Sequence, residues 1–285
     1  MMKMLWRPLL LCALLLTLNA CSGSLISSLL RPTLENLQKQ TDIDLVCEGT
    51  PSFLLMIDSM VASDPENKKL LMTATQAFSG YAAALDACNR PERAAVVSKK
   101  ARKYGVSLLK EDVDSKTIYN ISLADLHEVL SSFDADDTDK LFWAGNGWTT
   151  WLRHQKGSPE SLAQLVKVEQ IMLRVLELDE NYYHGGAHLF IGAYLGSKPP
   201  LFGGKPEQSK EHFERALTIS KRQFLPALVL YAQTYARMTF NRELYVDLLQ
   251  EVLDFNLENQ SDLRLSNVVA KRQASTMLEQ VDQFF

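Results

Sequence analysis

The chain has 285 residues, 46% of them hydrophobic, which is enough to bury one large core or two small ones. Its formal net charge of -4 at pH 7 argues against a nucleic-acid-binding surface, which would be basic. With only 10 prolines and 13 glycines, the chain has room for long helices.

The N-terminal residues have the pattern of a bacterial lipoprotein signal. Lys3 and Arg7 make a positively charged segment, and residues 9–18 make a short apolar one. The sequence Leu-Asn-Ala-Cys, which ends at Cys21, then matches the lipobox. We expect cleavage before Cys21 and lipidation of its thiol. The alternative is an ordinary signal peptide followed by a chance cysteine.

The lipobox divides the chain into a signal peptide (1–20), a lipidated tether (21–40) and a single folded domain (41–285). Ser22 occupies the position where an aspartate retains many lipoproteins at the inner membrane. We therefore expect anchoring in the inner leaflet of the outer membrane, with the folded domain facing the periplasm.

Cys47 and Cys88 are the cysteines expected to remain in an oxidising compartment. Cys47 precedes a helix predicted over 51–62, and Cys88 follows one predicted over 67–87. In an antiparallel hairpin the start of the first helix meets the end of the second, so the geometry permits a disulfide. Two separate buried thiols are the alternative.

A helix predicted over 140–154 carries three of the four tryptophans of the chain. They are Trp143, Trp148 and Trp151. Gly145 and Gly147 lie between them and cost about 1 kcal/mol each relative to alanine in a helix. Glycines in this setting suggest close helix approach or space for a bound molecule. The tryptophans are therefore either packed core residues or an aromatic wall of a cavity.

Residues 182–217 read as a helix, a tight loop and a second helix. The loop is rich in proline and glycine, which fix a backbone shape that a simple connection does not require. Two apolar side chains lie at its tip, where they can anchor a partner at low entropic cost. The interface candidates are Leu201, Phe202, Gly203, Gly204 and Lys205. The alternative is that the two apolar side chains fold back into the core.

No segment alternates like a strand over any length, so we predict an all-α chain of roughly a dozen helices. Residues 175–183 and 213–217 resemble junctions between tetratricopeptide repeats. Leu176 and Leu217 of these junctions are 41 residues apart (217 − 176), not the roughly 34 of a regular repeat. We therefore predict a degenerate tetratricopeptide-like solenoid of stacked antiparallel helix pairs with a concave face.

The lipobox, residues 48–54, residues 183–192 and residues 199–217 together resemble the TatT lipoprotein family, the T components associated with TRAP (tripartite ATP-independent periplasmic) transporters. The resemblance covers nearly the whole mature chain. It implies a periplasm-facing, tetratricopeptide-like homotrimer with a cavity or pore in each protomer. It also implies that the partner is the substrate-binding protein of a TRAP transporter. The implied cargo is a small organic acid, which can be hydrophobic. Cys47 and Cys88 depart from the general family pattern.

A cavity in this chain would be largely apolar, with aromatic walls suited to a small amphipathic ligand. The aromatic candidates are Trp143, Trp148, Trp151, Tyr182, Tyr183 and Tyr194. The imidazoles of His184 and His188 could orient a carboxylate.

Catalytic interpretations are weaker. His184 and His188 have the i, i+4 spacing of zinc ligands on a helix, but the glutamate of His-Glu-x-x-His is missing. Lys205 lacks the residues that a phosphate-binding loop places around its lysine. We expect no enzyme activity, metal or cofactor. Two alternatives stay open, a structural scaffold in envelope assembly and, less favoured, a metal-dependent hydrolase.

Overall fold

The structure, a computed structural model, describes residues 32–110, 118–155, 157–258 and 262–285. The predicted signal peptide, the lipidation candidate Cys21 and most of the predicted tether lie outside the described residues. Within those ranges every regular element is a helix, which confirms the all-α prediction.

The principal helices follow one another with short connections. They are α1 (Ile43–Ser63), α2 (Lys68–Ala87), α3 (Pro91–Ser107), α4 (Leu123–Ser131), α5 (Thr138–Leu152), α6 (Pro159–Asp179), α7 (Tyr182–Gly196), α8 (Pro206–Ile219), α9 (Leu225–Tyr231), α10 (Arg242–Asp254) and α11 (Arg264–Glu279). Residues 32–38 are also helical, α9 continues into a π-helical turn at Ala232–Ala236, and short 3₁₀ turns lie at Ala135–Asp137, Pro200–Phe202 and Val281–Gln283.

The first helix begins earlier than its sequence predicts. Asp42 caps α1 by accepting a hydrogen bond from the backbone N–H of Leu45, so Cys47 lies inside the helix and not before it. Pro51 is therefore an internal proline, and it has no N–H to donate to the carbonyl of Cys47. The buried hydroxyl of Tyr81 donates to that carbonyl instead, at 2.8 Å. This long-range bond makes the internal proline tolerable.

By length and composition alone α1 could also cross a membrane, the single described helix to which this applies. Its Leu54, Ile57 and Val61 are buried in the protein core against α2. We therefore treat α1 as a core helix with one apolar side turned outward.

Helices pack mainly on their neighbours in the chain, as the predicted antiparallel pairs require. The contacts run from α1 through α2, α3, α5, α6, α7, α8 and α9 to α11, with α4 against α6 and α10 against α9 and α11. Neighbour packing of this kind is expected of a helical repeat. The tetratricopeptide-like assignment itself stays a prediction.

The last α-helix of the described residues packs on α1 and α2, which an open solenoid does not predict. Helix α11 contacts both α1 and α2. Val269 of α11 lies in a small apolar cluster with Ile43 and Ala84. Beside this cluster, the guanidinium of Arg272 donates two hydrogen bonds to the carboxylate of Asp44, at 2.9 and 3.2 Å. The first and last helices therefore close the arrangement around its centre.

Two larger hydrophobic cores flank that centre. One is built from α1 to α7, and the other from α7 to α11. Helix α7 belongs to both, since Phe190 and Ile191 pack in the first and Leu189 in the second. A helix that is apolar on nearly all sides is expected to be buried, and α7 fulfils this.

The sulfur atoms of Cys47 and Cys88 are 2.15 Å apart in a disulfide between α1 and the end of α2. We expect Cys88→Ser to lower the free energy of unfolding by about 3–4 kcal/mol, because the bridge restricts a loop of this length in the unfolded chain. Urea denaturation of oxidised protein measures the loss. Thiol labelling of the unreduced wild type provides the check, and two reactive thiols there would contradict the bridge.

Candidate functional site

A central cavity of about 1820 Å³ lies between the two cores. Side chains of α1, α2, α5, α6, α7, α9 and α11 line it. This volume exceeds the usual range for a small-molecule pocket, roughly 300–1,000 Å³. The cavity depends on the closure of the chain, because Leu265, Val269 and Gln273 of α11 supply one wall.

An aromatic cluster occupies the junction of α5 and α7 in the cavity wall. The rings of Phe142, Trp143, Tyr182 and Tyr183 contact one another with centroids 4.7–5.2 Å apart. The indole N–H of Trp143 donates to the Tyr182 hydroxyl at 3.1 Å. The structure thus brings Trp143, Tyr182 and Tyr183 together at the cavity, as the sequence predicts for a ligand site.

Tyr194 lines the same cavity one helix length away. The ammonium of Lys198 lies 3.9 Å from the centre of its ring, which is a cation–π contact. Burial, with a smaller contribution from Glu169, raises the pKa of Tyr194 to about 12. Its hydroxyl is therefore a neutral hydrogen-bonding group at any physiological pH.

Trp148 and Trp151 lie elsewhere, in the core. Trp148 is 0% exposed and contacts Tyr119 edge-on, and the Trp151 ring lies 3.7 Å from the guanidinium of Arg102. Relative to the cavity residue Asn146, these two positions are rotated by about 160° and 140° around the helix. The aromatic-wall hypothesis is therefore corrected for both tryptophans, and the core-packing alternative describes them.

The first turn of α7 is left-handed. Tyr183, His184 and Gly185 have φ values of 46°, 62° and 73°. Such angles cost about 1–2 kcal/mol at each non-glycine residue. Gly186 allows close packing, since a Cβ there would lie 2.5 Å from the Phe142 ring. The Tyr-Tyr-His-Gly-Gly sequence thus builds a strained turn beneath the aromatic cluster.

This turn separates the two histidines that the sequence places on one helix face. His184 stacks on Phe224, with centroids 5.1 Å apart, and lines a second, smaller cavity of about 560 Å³. His188 is buried and points toward α8. The i, i+4 zinc hypothesis is therefore wrong, because the residues between them do not form a right-handed helix. In the described part of the chain, no group of three or more His, Cys, Asp or Glu residues could hold a metal ion.

His188 belongs to a polar network between α6, α7 and α8. Its Nδ1 lies 2.8 Å from Nδ1 of His212, and its Nε2 lies 3.1 Å from Oε2 of Glu180. Arg215 donates to both oxygens of Glu180. These bonds lower the pKa of Glu180 to about 2, with the Arg215 hydrogen bond as the largest cause. The consistent tautomer has His188 donating to Glu180 and accepting from His212.

Sequence reasoning missed a titratable pair in the cavity wall. Asp86 of α2 and His154, just after α5, approach within 3.6 Å and both line the cavity. Burial raises the pKa of Asp86 and lowers that of His154. No signal in the sequence pairs these two residues, although Asn146, Thr150 and Arg153 fall on one side of an otherwise buried helix and so mark its cavity face.

The loop after α7 presents apolar side chains to solvent. Leu201 is 88% exposed and Phe202 is 73% exposed. The two side chains therefore do not fold back into the core of this chain. Lys205, which ends the loop, is exposed as well.

Hydrogen bonds and glycines fix the backbone of this loop. The N–H groups of Phe202 and Gly204 both donate to the carbonyl of Pro199, at 2.9 and 3.1 Å. Gly203 has a φ of 85°, which favours glycine. A Cβ at Gly204 would collide with the carbonyl oxygen of Lys198. The loop is therefore a shaped and internally bonded surface.

A family model for the TRAP transporter T-component, TAtT, matches residues 39–285. The chain belongs to this family. The resemblance seen in the sequence is thereby confirmed, and this T-component is a TRAP transporter component located in the cell envelope. Its family is transporter-associated and not a known enzyme family. A search of curated proteins returned no match to the chain.

We expect Trp148→Ala to lower the free energy of unfolding by about 3–5 kcal/mol, because it leaves a cavity in the core. The affinity for 1-anilinonaphthalene-8-sulfonate, an amphipathic organic anion that reports apolar cavities, should stay unchanged. Trp143→Ala, which removes a cavity-lining ring, should change that affinity. Urea denaturation and fluorescence titration measure the two effects. Equal effects of both variants on the affinity would contradict the placement.

We expect the T-component to lose stability as the pH falls below about 6.5. Burial lowers the folded-state pKa of His188 and His212, so the unfolded chain takes up protons first. The contribution of these two neutral histidines to folding stability is thus fully present above the pKa that they have in the unfolded chain, and it is lost as the pH falls below that value. His188→Gln/His212→Gln should reduce the fall in melting temperature between pH 7 and pH 5, and the part that remains is expected from His154 and His184, whose pKa burial also lowers. The exposed His127→Gln is the control, and an unchanged acid loss in the double variant would contradict the assignment.

Proposed function

We propose that this T-component holds a small amphipathic organic acid in its central cavity and binds the substrate-binding protein of a TRAP transporter. It does so as a lipid-anchored homotrimer, attached through Cys21 to the inner leaflet of the outer membrane and facing the periplasm. The central cavity carries the proposal. Family membership supports the link to the transporter, and the exposed loop supports the docking.

The cavity wall combines the two surfaces that an amphipathic ligand needs. Aromatic and aliphatic side chains, such as Trp143, Phe190 and Leu165, give it an apolar part. Asn146, Thr149 and the Asp86–His154 pair give it a polar part. A molecule with an apolar body and one polar head would satisfy both.

Arg153 is a cavity-lining donor that can bind a carboxylate. It lines the cavity and is exposed, so it lies at the mouth. Among the described residues its guanidinium has no ion-pair partner, and guanidinium groups bind carboxylates in a bidentate manner. His154, the adjacent residue, adds a second nitrogen. These groups favour an organic acid over a purely apolar ligand.

The docking part of the proposal depends on the loop from Ser197 to Lys205. Its exposed Leu201 and Phe202 side chains stand on a backbone that is already fixed by hydrogen bonds. A partner therefore gains apolar contact without the entropic cost of ordering the loop. Large apolar anchors of this kind are the usual centres of protein interfaces.

A purely structural scaffold is the competing function. A scaffold needs packed helices and an anchor but has no use for a large cavity with charged and aromatic walls. The cavity of about 1820 Å³ therefore favours the ligand-holding function. The metal-dependent hydrolase loses its basis, because His184 and His188 point into different surroundings.

We expect Phe202→Ser to weaken binding to the TRAP substrate-binding protein of the same organism at least about tenfold, which is the size of effect seen at an interface anchor. The melting temperature should change little, because the removed ring is solvent-exposed. Biolayer interferometry measures the binding, and light scattering measures the oligomeric state. Loss of the trimer with partner binding intact would assign the loop to the contact between protomers.

Val96→Ser is the matched control, since it removes an exposed apolar side chain from α3. It should leave unchanged both the binding of the substrate-binding protein and the oligomeric state. A large fall in melting temperature for Phe202→Ser, with both kinds of association intact, would show that the loop only packs on its own chain and would overturn the docking proposal.

A further inference from the structure

Tyr183 lies between two cavities. It lines the central cavity and also the smaller cavity of about 560 Å³ that His184 borders. Among the described residues, Gln38 and Ser266 are the other two that both linings share. Tyr183 is the largest of the three side chains and the one whose ring reaches into the aromatic cluster. The two spaces are thus neighbours with a tyrosine ring in the wall between them.

Both spaces reach the surface of the chain. The small cavity is bordered by the exposed residues Lys221 and Gln223. The central cavity is bordered by the exposed residues Asp64 and Lys69. A ligand that moved between these two surfaces through the protein interior would therefore have to pass Tyr183.

The Tyr183 side chain is held by ring contacts alone. Its ring touches Trp143 at 4.7 Å, Phe142 at 5.1 Å and Phe224 at 6.1 Å between centroids. Within the described residues its hydroxyl makes no hydrogen bond. Tyr182, the preceding residue, instead has its hydroxyl bonded to Trp143. Tyr183 can therefore swing away without breaking a polar contact, whereas Tyr182 cannot.

The surroundings of Tyr183 show that its free surface faces the interior. The residue is 39% exposed, yet burial raises its pKa to about 12. The exposed part of the side chain faces the two cavities, so solvent can reach it there. The rest of the ring is surrounded by protein, and this burial raises the pKa. The strained left-handed turn at Tyr183, His184 and Gly185 keeps the ring in this position.

We propose that Tyr183 is a gate between the small and the central cavity, which a ligand must displace to pass from one to the other. The inference rests on the proposed ligand-holding function and adds the residue that controls passage. An aromatic ring that bonds to none of the described polar groups, placed between a largely polar small cavity and a largely apolar central one, suits the passage of an amphipathic organic anion. The gate requires no partner protein, so it can be tested on the isolated T-component.

The test follows 1-anilinonaphthalene-8-sulfonate by stopped-flow fluorescence with the purified, oxidised full chain in detergent, after subtraction of the micelle blank. In Tyr183→Ala we expect the association rate constant to rise about tenfold, and the dissociation rate constant to rise at least as much, because a cavity-lining ring is lost together with the gate. Removing a gate lowers the barrier in both directions. Tyr183→Gly, which suits the positive φ, is the second variant should the alanine form be unstable.

Two controls isolate the gate. Tyr183→Phe keeps the ring and should keep the wild-type rates, because the hydroxyl bonds to none of the described residues. Tyr194→Ala removes a tyrosine that borders the central cavity but is absent from the lining of the small one, and it should alter the affinity without accelerating association.

Three results would overturn the gate. The first is a rise in the dissociation rate alone, which would make Tyr183 an ordinary ligand contact. The second is unchanged rates in both ring-removing variants. The third is an absence of probe binding in wild type and variants alike. Failure of the substrate-binding protein to bind the T-component would instead count against the docking proposal and would leave these rates untouched.

Discussion

Closure of the chain is the constraint on which the cavity depends. Consecutive helix pairs alone would leave an open surface, and the contact of α11 with α1 and α2 adds one wall of the central cavity. The closure has an apolar part around Val269 and a charged part between Arg272 and Asp44. The ion pair is exposed, and exposed pairs contribute little stability. The apolar cluster therefore contributes more to the closure than the ion pair does, and the Cys47–Cys88 bridge holds together the α1–α2 surface on which α11 packs.

Helix α7 is the second element that the site needs, because it joins the two cores and carries the gate at one end and the loop at the other. Its middle is buried on both sides and cannot shift without disturbing both cores. Its first turn differs, since Tyr183 and His184 adopt a strained left-handed conformation. Strain of this kind persists where the surrounding structure over-determines it, and it concentrates at functional sites. The aromatic cluster and Gly186 supply that surrounding structure.

Local signals in the sequence predicted much of the fold. The predicted helices over 67–87 and 140–154 lie within two residues of the observed α2 and α5, and the proline- and glycine-rich loop after α7 is where the sequence placed it. The features that the sequence did not predict are determined by contacts between residues far apart in the chain. The start of α1 depends on the Tyr81 hydroxyl, which satisfies the carbonyl freed by Pro51. Closure of the chain is likewise set by pairs far apart in sequence, such as Asp44 and Arg272.

Prediction of the site was limited for a different reason. The sequence identified the aromatic residues but not their direction, and a helix turns about 100° per residue. Counting from Asn146 would have separated Trp148 from the cavity face of α5. No count could have separated His184 from His188, because the left-handed turn replaces the helix whose period the count assumes. The Asp86–His154 pair joins α2 to the end of α5, so only the tertiary fold brings it together.

The two glycine pairs at the ends of α7 illustrate how similar residues serve different purposes. Gly185 and Gly186 permit a strained turn beneath a ring that has no hydrogen bond. Gly203 and Gly204 permit a loop whose backbone is hydrogen-bonded back to Pro199. An interior gate must yield to a ligand, so a weakly held ring suits it. A docking surface must keep its shape before the partner arrives, so a bonded backbone suits it. Among the described residues, hydrogen bonds are therefore found in the loop, where the proposed docking role needs a fixed shape, and not at the Tyr183 ring, where the proposed gate needs freedom to move.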